Sequence, residues 1–338
     1  MGQNIAIIGA TGAVGQELLK ILEERGFPAS NVKLCASPRS VGKRIKLWGE
    51  ELIVEETQKE SFKGVDIAFI SVSADISREL APHALDAGTI VIDDSSAFRM
   101  ETHVPLVVPE INGDDLLSHE GVISIPNCST TQMVMALYPL HVVNPIRRVV
   151  VDTYQAVSGT GVSAMTELSI QSQSILNGGN TAAEVYPHQI GFNVFPQVET
   201  FLPNGYTKEE WKMLEETRKI MHSPDMGVSA TCVRVPVYVG HSEALHVEFS
   251  NPMVPEEARR LLEGFPGVTV LDEPGGNSYP TPWSISGSDD IFVGRIRKDV
   301  SCNNGLAFWI VGDNLRKGAA LNAYQIASEL ISRGLLRE

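Results

Sequence analysis

The first third of the chain alternates short apolar runs with glycine-rich or amphipathic stretches. An apolar run at residues 4–8 leads into the glycine-rich segment 9–15, and the stretch after it keeps apolar residues at helical spacing up to Gly26. This order predicts a buried strand, a tight turn and an amphipathic helix.

The alternation continues as far as residue 126. A second helix is predicted over Ile76–Asp86, and further strand-like runs lie at 32–36, 65–73, 89–95 and 121–126. Strands that alternate with helices predict a parallel sheet with crossover helices, so the first domain is expected to be of the α/β class.

The strand-like runs become longer after residue 127. They lie at 147–158, 232–239 and 244–250, and within 232–239 every second residue is a valine, with Cys, Arg, Pro and Tyr between them. A period of two indicates a sheet with two unlike faces. We therefore predict a second domain of the α+β class.

The C-terminal segment shows one more helical pattern, which begins just after Asn314 and which we expect to return to the first domain. Its apolar face consists of Leu315, Ala319, Ala323, Ile326, Ala327 and Leu330. The predicted division is a first domain of residues 1–127 plus 315–338 and a second domain of residues 128–314.

Composition and charge narrow the function classes. The 338 residues are 43% hydrophobic and 20% charged, which excludes a disordered chain and suits two domains of ordinary size. The formal charge is −14 without a long run of one sign, which argues against a nucleic-acid partner. An anionic ligand must then meet a few placed Arg or Lys side chains.

The four cysteines, at 35, 128, 232 and 302, form no C-x-x-C pair. This spacing predicts neither a disulfide framework nor a metal site, and it suits a reducing compartment. No run approaches the roughly 18 apolar residues that span a bilayer. We therefore expect a cytoplasmic protein with no membrane partner.

The glycine-rich segment carries the first candidate chemistry. Gly9, Gly12 and Gly15 stand between a strand and a helix, in a G-x-x-G-x-x-G variant of the pattern that binds a dinucleotide in Rossmann-type folds. The turn, the close approach of backbone to pyrophosphate and the helix N-terminus all favour this function. The alternative is an ordinary glycine-rich turn.

The end of the second predicted strand favours NADP over NAD. NAD-specific folds place a carboxylate about 20 residues after the glycines, whereas this chain has Ala-Ser-Pro-Arg-Ser at 36–40. Arg39 can hold the 2′-phosphate, with Ser37 and Ser40 as further donors. The alternative for Arg39, taken alone, is a solvated loop charge.

Cys128 is the candidate nucleophile. It lies between the apolar strand-like run 121–126 and the apolar stretch 133–140, which places it in the first turn of a predicted helix. The positive end of a helix lowers the pKa of a thiol, and a thiolate is a strong nucleophile. A buried, inert cysteine is the alternative, and it is the interpretation we adopt for Cys35, Cys232 and Cys302.

Motifs in both halves of the chain resemble the aspartate-semialdehyde dehydrogenase family. The resemblance runs from Gly9 to about Gln325, and the motifs occur in the family's order. They are GATGAVG, SPRS, SSAFRM, VPEIN, NCSTTQ, QAVSGTG, Glu209 with Lys212, the segment from Arg234 to His241, and NLRKGAALNA.

The resemblance implies reversible, NADP-dependent aldehyde chemistry. L-aspartyl 4-phosphate would be reduced to L-aspartate 4-semialdehyde and phosphate, in the pathway to lysine, methionine and threonine. Cys128 would form the thioacyl intermediate, His241 would act as acid and base, and Gln155 would orient the substrate. The family also implies a Rossmann-type cofactor domain, a catalytic and dimerisation domain, and a homodimer.

The family also assigns roles to residues that the sequence alone would leave as surface charges. Arg234 would grip the substrate α-carboxylate, Arg99 and Lys212 with Asn127 would bind phosphate, and Glu209 would face the substrate amino group. Alone, Glu209 and Lys212 would be a solvated i,i+3 pair on a helix capped by Thr207 and Glu210. The predicted cofactor-binding residues are Gly9, Thr11, Gly12, Ala13, Val14, Gly15, Ser37, Arg39, Ser40, Ser71, Ser158, Gly159, Gly161 and Asn314.

One segment departs from the family and three alternatives stay open. Residues 71–74 read Ser-Val-Ser-Ala where many members carry glycines, which leaves the details of the cofactor site there undecided. The first alternative is N-acetyl-γ-glutamyl-phosphate reductase, whose acetylated substrate would not call for Glu209. The second is a catalytically dead NADP-binding paralogue, and the third is a reductase of CoA thioesters.

Overall fold

The computed structural model describes residues 2–336, which fold into two compact units. The first unit combines the N-terminal part, up to Asn127, with the C-terminal part from Ala319; the second unit is Cys128–Gly318. Among the described residues, no helix has the length and the apolar character to cross a bilayer.

The first unit is built on a seven-stranded sheet in the order β3-β4-β2-β1-β5-β6-β7. Strand β3 runs antiparallel to β4, and the other pairs are parallel. The strands are β1 (Gln3–Ile8), β2 (Ala29–Ala36), β3 (Arg44–Leu47), β4 (Glu50–Glu56), β5 (Ile67–Ile70), β6 (Ile90–Asp93) and β7 (Val122–Ser124). The helices are α1 (Ala13–Glu24), α2 (Ala74–Asp86), α3 (Pro109–Asn112) and, from the C-terminal part, α9 (Leu321–Ser332).

The predicted α/β class of this unit is confirmed. Apolar side chains of α1 and α9 share one core cluster with the buried residues of the sheet, because each helix has one apolar face. β5 is shorter than the predicted run 65–73, because its pairing with β1 ends at Ile70 and helix α2 begins at Ala74.

The second unit has a six-stranded mixed sheet in the order β11-β12-β13-β10-β8-β9, which confirms the predicted α+β character. Its strands are β8 (Ile146–Gln155), β9 (Gly227–Arg234), β10 (His241–Phe249), β11 (Val268–Val270), β12 (Ile291–Lys298) and β13 (Gly305–Gly312). Its helices are α4 (Cys128–Val143), α5 (Val162–Leu176), α6 (Lys208–Ile220), α7 (Pro255–Glu263) and α8 (Pro282–Ile285). Helix α4 contacts β8, β10, β12 and β13, and α6 contacts β9 and α4.

The prediction of one strand over 232–239 is wrong, because β9 ends at Arg234. Pro236 has no backbone N–H to continue the ladder, and Val237 donates back to the Val235 carbonyl in a turn. The alternation of apolar residues therefore continues past the end of β9 into residues 235–239, which contact the loop that follows β8. There Val157 donates its N–H to the Val237 carbonyl.

The return to the first unit lies at Gly318/Ala319, four residues later than the sequence predicts. Asp313 keeps the residues just before this boundary in the second unit. Its carboxylate accepts hydrogen bonds from the N–H groups of Gly287 and Leu315. Residues Arg316–Ala320 form one π-helical turn before α9 begins. Such turns often occur at functional sites.

Candidate active site

The glycine turn of the first unit has the geometry that a dinucleotide requires. Gly9 has a φ of +91°, and a Cβ there would lie 2.2 Å from the Ser71 carbonyl oxygen. A Cβ on Gly15 would lie 2.3 Å from the Gly9 carbonyl oxygen. Glycine is therefore needed at both ends of the turn, and Gly12 caps α1 without a side chain. Thr11, Ala13 and Val14 lie in the same turn.

The predicted 2′-phosphate residues lie beside this turn. Ser37 and Arg39 are exposed on the short 3-10 turn that follows β2, and Ser40 is buried there. Thr11 donates a hydrogen bond to Ser40 Oγ at 3.1 Å, which ties the two loops together. Ser71 also lies beside the glycines, but its hydroxyl donates to Asp94 at 3.0 Å.

Arg99 and Asn127 are the two predicted phosphate-binding residues of the first unit. Both are buried, and Arg99 donates to the Asp94 carbonyl oxygen at 2.8 Å. Burial raises the pKa of the Asp94 carboxyl, and the charge of Arg99 opposes that rise. Asn127 directly precedes Cys128 in the chain.

One face of the second unit's sheet carries most of the predicted catalytic side chains. Gln155 of β8 lies opposite Arg234 of β9, and His241 opens the neighbouring strand β10. Thr153 of β8 and Glu243 of β10 lie opposite each other, two residues before Gln155 and two residues after His241. Because side chains two residues apart on a strand point to the same face, all of these side chains lie on one face of the sheet. Helices α4 and α6 pack against this sheet.

Cys128 is the first residue of α4, as the sequence predicts, and its side chain is half-buried. A Cβ on Gly318 would lie 2.9 Å from Cys128 Cβ. The π-helical turn that contains Gly318 therefore packs against the cysteine, and only glycine leaves room for it there.

His241 is fully buried at the start of β10. Its Nδ1 accepts a hydrogen bond from the Ala156 N–H at 3.0 Å, so the neutral ring carries its proton on Nε2. Nε2 has no hydrogen-bond partner among residues 2–336. Desolvation and the nearby Arg234 charge lower the pKa of His241 to about 3, so the ring is neutral at pH 7.

Gln155, Glu209 and Lys212 form a chain of contacts. Gln155 donates to Glu209 Oε1 at 2.9 Å, and Lys212 lies 3.4 Å from Glu209 Oε2. Helix α6 holds both charged residues, and Thr207 and Glu210 form its predicted capping box. Glu209 is buried, unlike a solvated surface residue.

Arg234 is buried in the same region, with 5% of its surface exposed. It donates to the Ala156 carbonyl oxygen at 2.6 Å, and its guanidinium carbon lies 5.7 Å from the centre of the Tyr186 ring. Its Nε has no hydrogen-bond partner in the described part of the chain. These contacts hold the guanidinium in place, and N–H groups remain that can donate hydrogen bonds to a ligand.

The loop predicted to lie near the nicotinamide is beside these residues. A Cβ on Gly159 would lie 3.3 Å from His241 Nε2 and 3.4 Å from an Arg234 nitrogen. Asn314 Oδ1 accepts from Ser158 Oγ and from the Gly240 N–H, each at 3.0 Å. Gly161 is glycine because its φ is +97°.

Comparison with known proteins shows the family. The description "Semialdehyde dehydrogenase, NAD binding domain" matches residues 4–119, and "Semialdehyde dehydrogenase, dimerisation domain" matches residues 137–317. The aspartate-semialdehyde dehydrogenase of Aquifex aeolicus is 51% identical over 340 residues, which cover 99% of this chain and 100% of that protein. The chain belongs to the aspartate-semialdehyde dehydrogenase family.

Solved structures agree with this membership. Aspartate semialdehyde dehydrogenase II from Vibrio cholerae, complexed with ASA, has a TM-score of 0.96 at 42% identity, covering 98% of this chain and 99% of that chain. The Candida albicans aspartate semialdehyde dehydrogenase with NADP has a TM-score of 0.77 at 26% identity, covering 99% of this chain and 100% of that chain.

The predicted oxidoreductase class is confirmed by these relatives, and they do not support the N-acetyl-γ-glutamyl-phosphate reductase alternative. The roles of individual site residues in this aspartate-semialdehyde dehydrogenase family member stay predictions.

Three residues of this arrangement, all buried or half-buried, were not predicted from the sequence. Gln132 lies four residues after Cys128 on α4, and Glu243 lies two residues after His241 on β10. A spacing of four on a helix or of two on a strand places each residue on the same face as its catalytic neighbour, so the sequence could have indicated both. Tyr186 lies in the loop after α5, and no spacing pointed to its contact with Arg234.

Proposed function

We propose that the protein catalyses the reversible, NADP-dependent conversion of L-aspartyl 4-phosphate to L-aspartate 4-semialdehyde and phosphate. The observation that carries this proposal is the convergence in the second unit: Gln155, Arg234 and His241 share one sheet face, and the helix that begins with Cys128 packs on it. Family membership supports the same reaction.

The glycine turn of the first unit fits the cofactor. At Gly9 and Gly15 a side chain would collide with backbone, so both positions are held as glycines, and the N-terminus of α1 presents N–H groups for a pyrophosphate. Arg39 is exposed where a 2′-phosphate would need a cation. Bound NADPH supplies the hydride in the reducing direction.

Cys128 would act as the nucleophile. Its thiolate sulfur forms a bond to the acyl carbon, and the bond from that carbon to the phosphate oxygen breaks with its electron pair on phosphate. After hydride addition to the thioester carbon, the carbon–sulfur bond breaks and returns its pair to sulfur. The aldehyde and the thiolate form without a net proton transfer.

His241 would stabilise the oxyanion of the tetrahedral adduct. Its neutral ring can donate from Nε2, because Nδ1 is engaged by the Ala156 N–H. A preorganised donor in a buried site is worth more than one in water. The role of acid and base stays a prediction, and donation from Nε2 is what the resting geometry favours.

The substrate would be held by charges of both signs. Arg234 offers a planar fork to the α-carboxylate, and the Glu209 carboxylate, held by Gln155, offers a partner to the amino group. Lys212, Arg99 and Asn127 would bind phosphate.

A spectrophotometric assay tests this function. The purified protein with aspartate semialdehyde, inorganic phosphate and NADP should produce NADPH. The same assay without phosphate, or with CoA in its place, separates the phosphorylating reaction from that of a CoA thioester reductase. Absence of NADPH formation from a folded protein would refute the proposal and favour the inactive paralogue.

Replacement of Arg39 by alanine should raise the KM for NADP. A charge-assisted contact with the 2′-phosphate contributes roughly 1.5 to 3 kcal/mol, which is about ten- to a hundredfold in affinity. The KM for NAD should not change. Initial rates with both cofactors measure this, and Arg44→Ala, which removes another exposed arginine of the first unit, is the control. A wild-type enzyme that uses NAD and NADP equally would contradict it.

We also propose a homodimer and a cytoplasmic location. The face of the second unit's sheet opposite the catalytic side chains carries Val150, Tyr154, Ala244 and Trp309, all half-buried or exposed. The rings of Tyr154 and Trp309 are 5.4 Å apart across this face. A second copy would cover these apolar surfaces, and the match to a dimerisation domain supports this role of the face.

The four cysteines, all within residues 2–336, form no disulfide, which suits the reducing compartment of the proposed cytoplasmic location.

Replacement of Trp309 by glutamate should shift the protein from dimer to monomer, because burial of a charge on this face is costly. Sedimentation velocity measures the mass. Ile53→Glu, at an exposed position of β4 in the first unit, is the matched control and should stay dimeric. A Trp309→Glu variant that remains dimeric at low concentration would place the interface elsewhere.

A further inference from the structure

A buried pair of side chains connects the helix of Cys128 with the strand of His241. Glu243 has no exposed surface, and its Oε1 accepts a hydrogen bond from Gln132 Nε2 at 2.6 Å. Its second oxygen, Oε2, has no hydrogen-bond partner in the described chain. Burying a carboxyl group is costly, so its presence in this core requires a reason.

Each end of this pair is one step from a reacting group. Gln132 lies four residues after Cys128, one helical turn along the same face of α4. Glu243 lies two residues after His241, on the same face of β10. The hydrogen bond therefore connects the first turn of α4 directly to the part of the sheet that holds His241.

The end of strand β13 packs closely against the Gln132 side-chain amide. Gly312 pairs with His241 across β10 and β13, and a Cβ on Gly312 would lie 2.8 Å from Gln132 Oε1. Gly312 is the last residue of β13, and a Cβ there would also lie 2.6 Å from Ile291 Cδ1. The absent side chain at 312 makes room for Ile291 and for the Gln132 amide, which lies between Gly312 and Glu243.

The surroundings of Glu243 also act on its pKa. The groups that face this part of the sheet include Glu209 from α6, Cys232 and Arg234 from β9, and His241 on its own strand. Burial and the charge of Glu209 raise the pKa of Glu243 well above its usual range, and the hydrogen bond from Gln132 opposes that rise.

We propose that Glu243, acting through Gln132, is a positioning residue that fixes the Cys128 thiol relative to His241 Nε2. The inference rests on the proposed function of Cys128 and His241. It adds that the buried carboxyl group serves as the acceptor of the Gln132 hydrogen bond and takes part in no proton transfer.

The test compares two substitutions of Glu243. In Glu243→Gln the amide oxygen can still accept from Gln132, and we expect kcat within about threefold of wild type. In Glu243→Leu the acceptor is lost from a similar volume, and we expect kcat to fall by about ten- to a hundredfold, because a reacting group displaced by about 1 Å costs that much. KM values for NADP and phosphate should change little in both.

Alkylation of Cys128 by iodoacetamide, followed over a range of pH by peptide mass spectrometry, separates positioning from a merely structural role. In Glu243→Leu the rate and pH dependence of Cys128 alkylation should change while the melting temperature stays close to wild type, whereas Glu243→Gln should restore the wild-type profile. Glu256→Gln and Glu256→Leu are the matched controls, since Glu256 is an exposed residue of α7 in the same unit.

Three results would overturn the inference. Glu243→Leu with wild-type kcat and alkylation excludes positioning. Equal losses in Glu243→Gln and Glu243→Leu show that an acceptor at this position is not sufficient, which contradicts the positioning role. Equal losses in the Glu256 controls show a general effect of such substitutions on the second unit. If Glu243→Leu does not fold, Gln132→Met removes the same hydrogen bond from the helix side, with the same expected results.

Failure of the inference can be told apart from failure of the proposed function. An inactive wild-type protein would refute the function, whereas an active wild type with a fully active Glu243→Leu variant would refute the positioning role alone.

Discussion

Replacement of Cys128 by alanine is expected to abolish turnover while NADP binding stays near wild type. The sulfur would form the covalent intermediate, and no other side chain can replace it, so activity should fall at least about a thousandfold. The cofactor turn belongs to the first unit, which the substitution does not touch. Initial rates of NADPH formation and a fluorescence titration with NADP measure the two effects.

The other cysteines provide the control. Cys35 and Cys232 are buried, and burial raises the pKa of both thiols, so neither should compete for iodoacetamide. Cys302 is half-buried like Cys128, so the prediction that it is buried is wrong. It lies in the turn between β12 and β13, and Cys302→Ala is the matched variant that should keep full activity. Faster labelling of Cys302, or an active Cys128→Ala enzyme, would contradict the assignment of the nucleophile.

Replacement of Arg234 by lysine should lower kcat/KM for aspartate semialdehyde by on the order of a hundredfold or more. Lysine keeps the charge but loses the planar fork and the stacking on Tyr186. The Ala156 carbonyl contact, at 2.6 Å, would also lose its fixed direction. The affinity for NADP should not change, and initial rates with each substrate varied in turn measure both effects.

Arg218→Lys is the control for this substitution. Arg218 is a half-exposed arginine of α6 that donates to the Met226 carbonyl and lies 3.7 Å from Glu215. It should have near-normal kinetics. If Arg234→Lys has normal kinetics and an unchanged melting temperature as well, the fork-shaped contact with an amino-acid substrate is excluded.

The local sequence signals were sufficient for several elements of the structure. The strand, glycine turn and helix at the N-terminus, the start of α4 at Cys128 and the capping box of α6 all lie where the sequence predicts them. Each of these features depends on residues within about one or two helical turns of each other, so the pattern carries nearly all of the information. The family motifs extended this to the reaction class.

Other features depend on residues far apart in the chain. The pair of Gln132 and Glu243 spans 111 residues, and the contact that places the His241 proton on Nε2 spans 85. The alternating valines after Arg234 could not show where β9 ends, because a turn that supports another loop has the same apolar period. Burial raises the pKa of Glu243 and keeps the His241 ring neutral, and burial exists only in the folded chain. The sequence by itself therefore determined the local elements and the candidate chemistry, whereas the tertiary structure decided which side chains meet and in which protonation state.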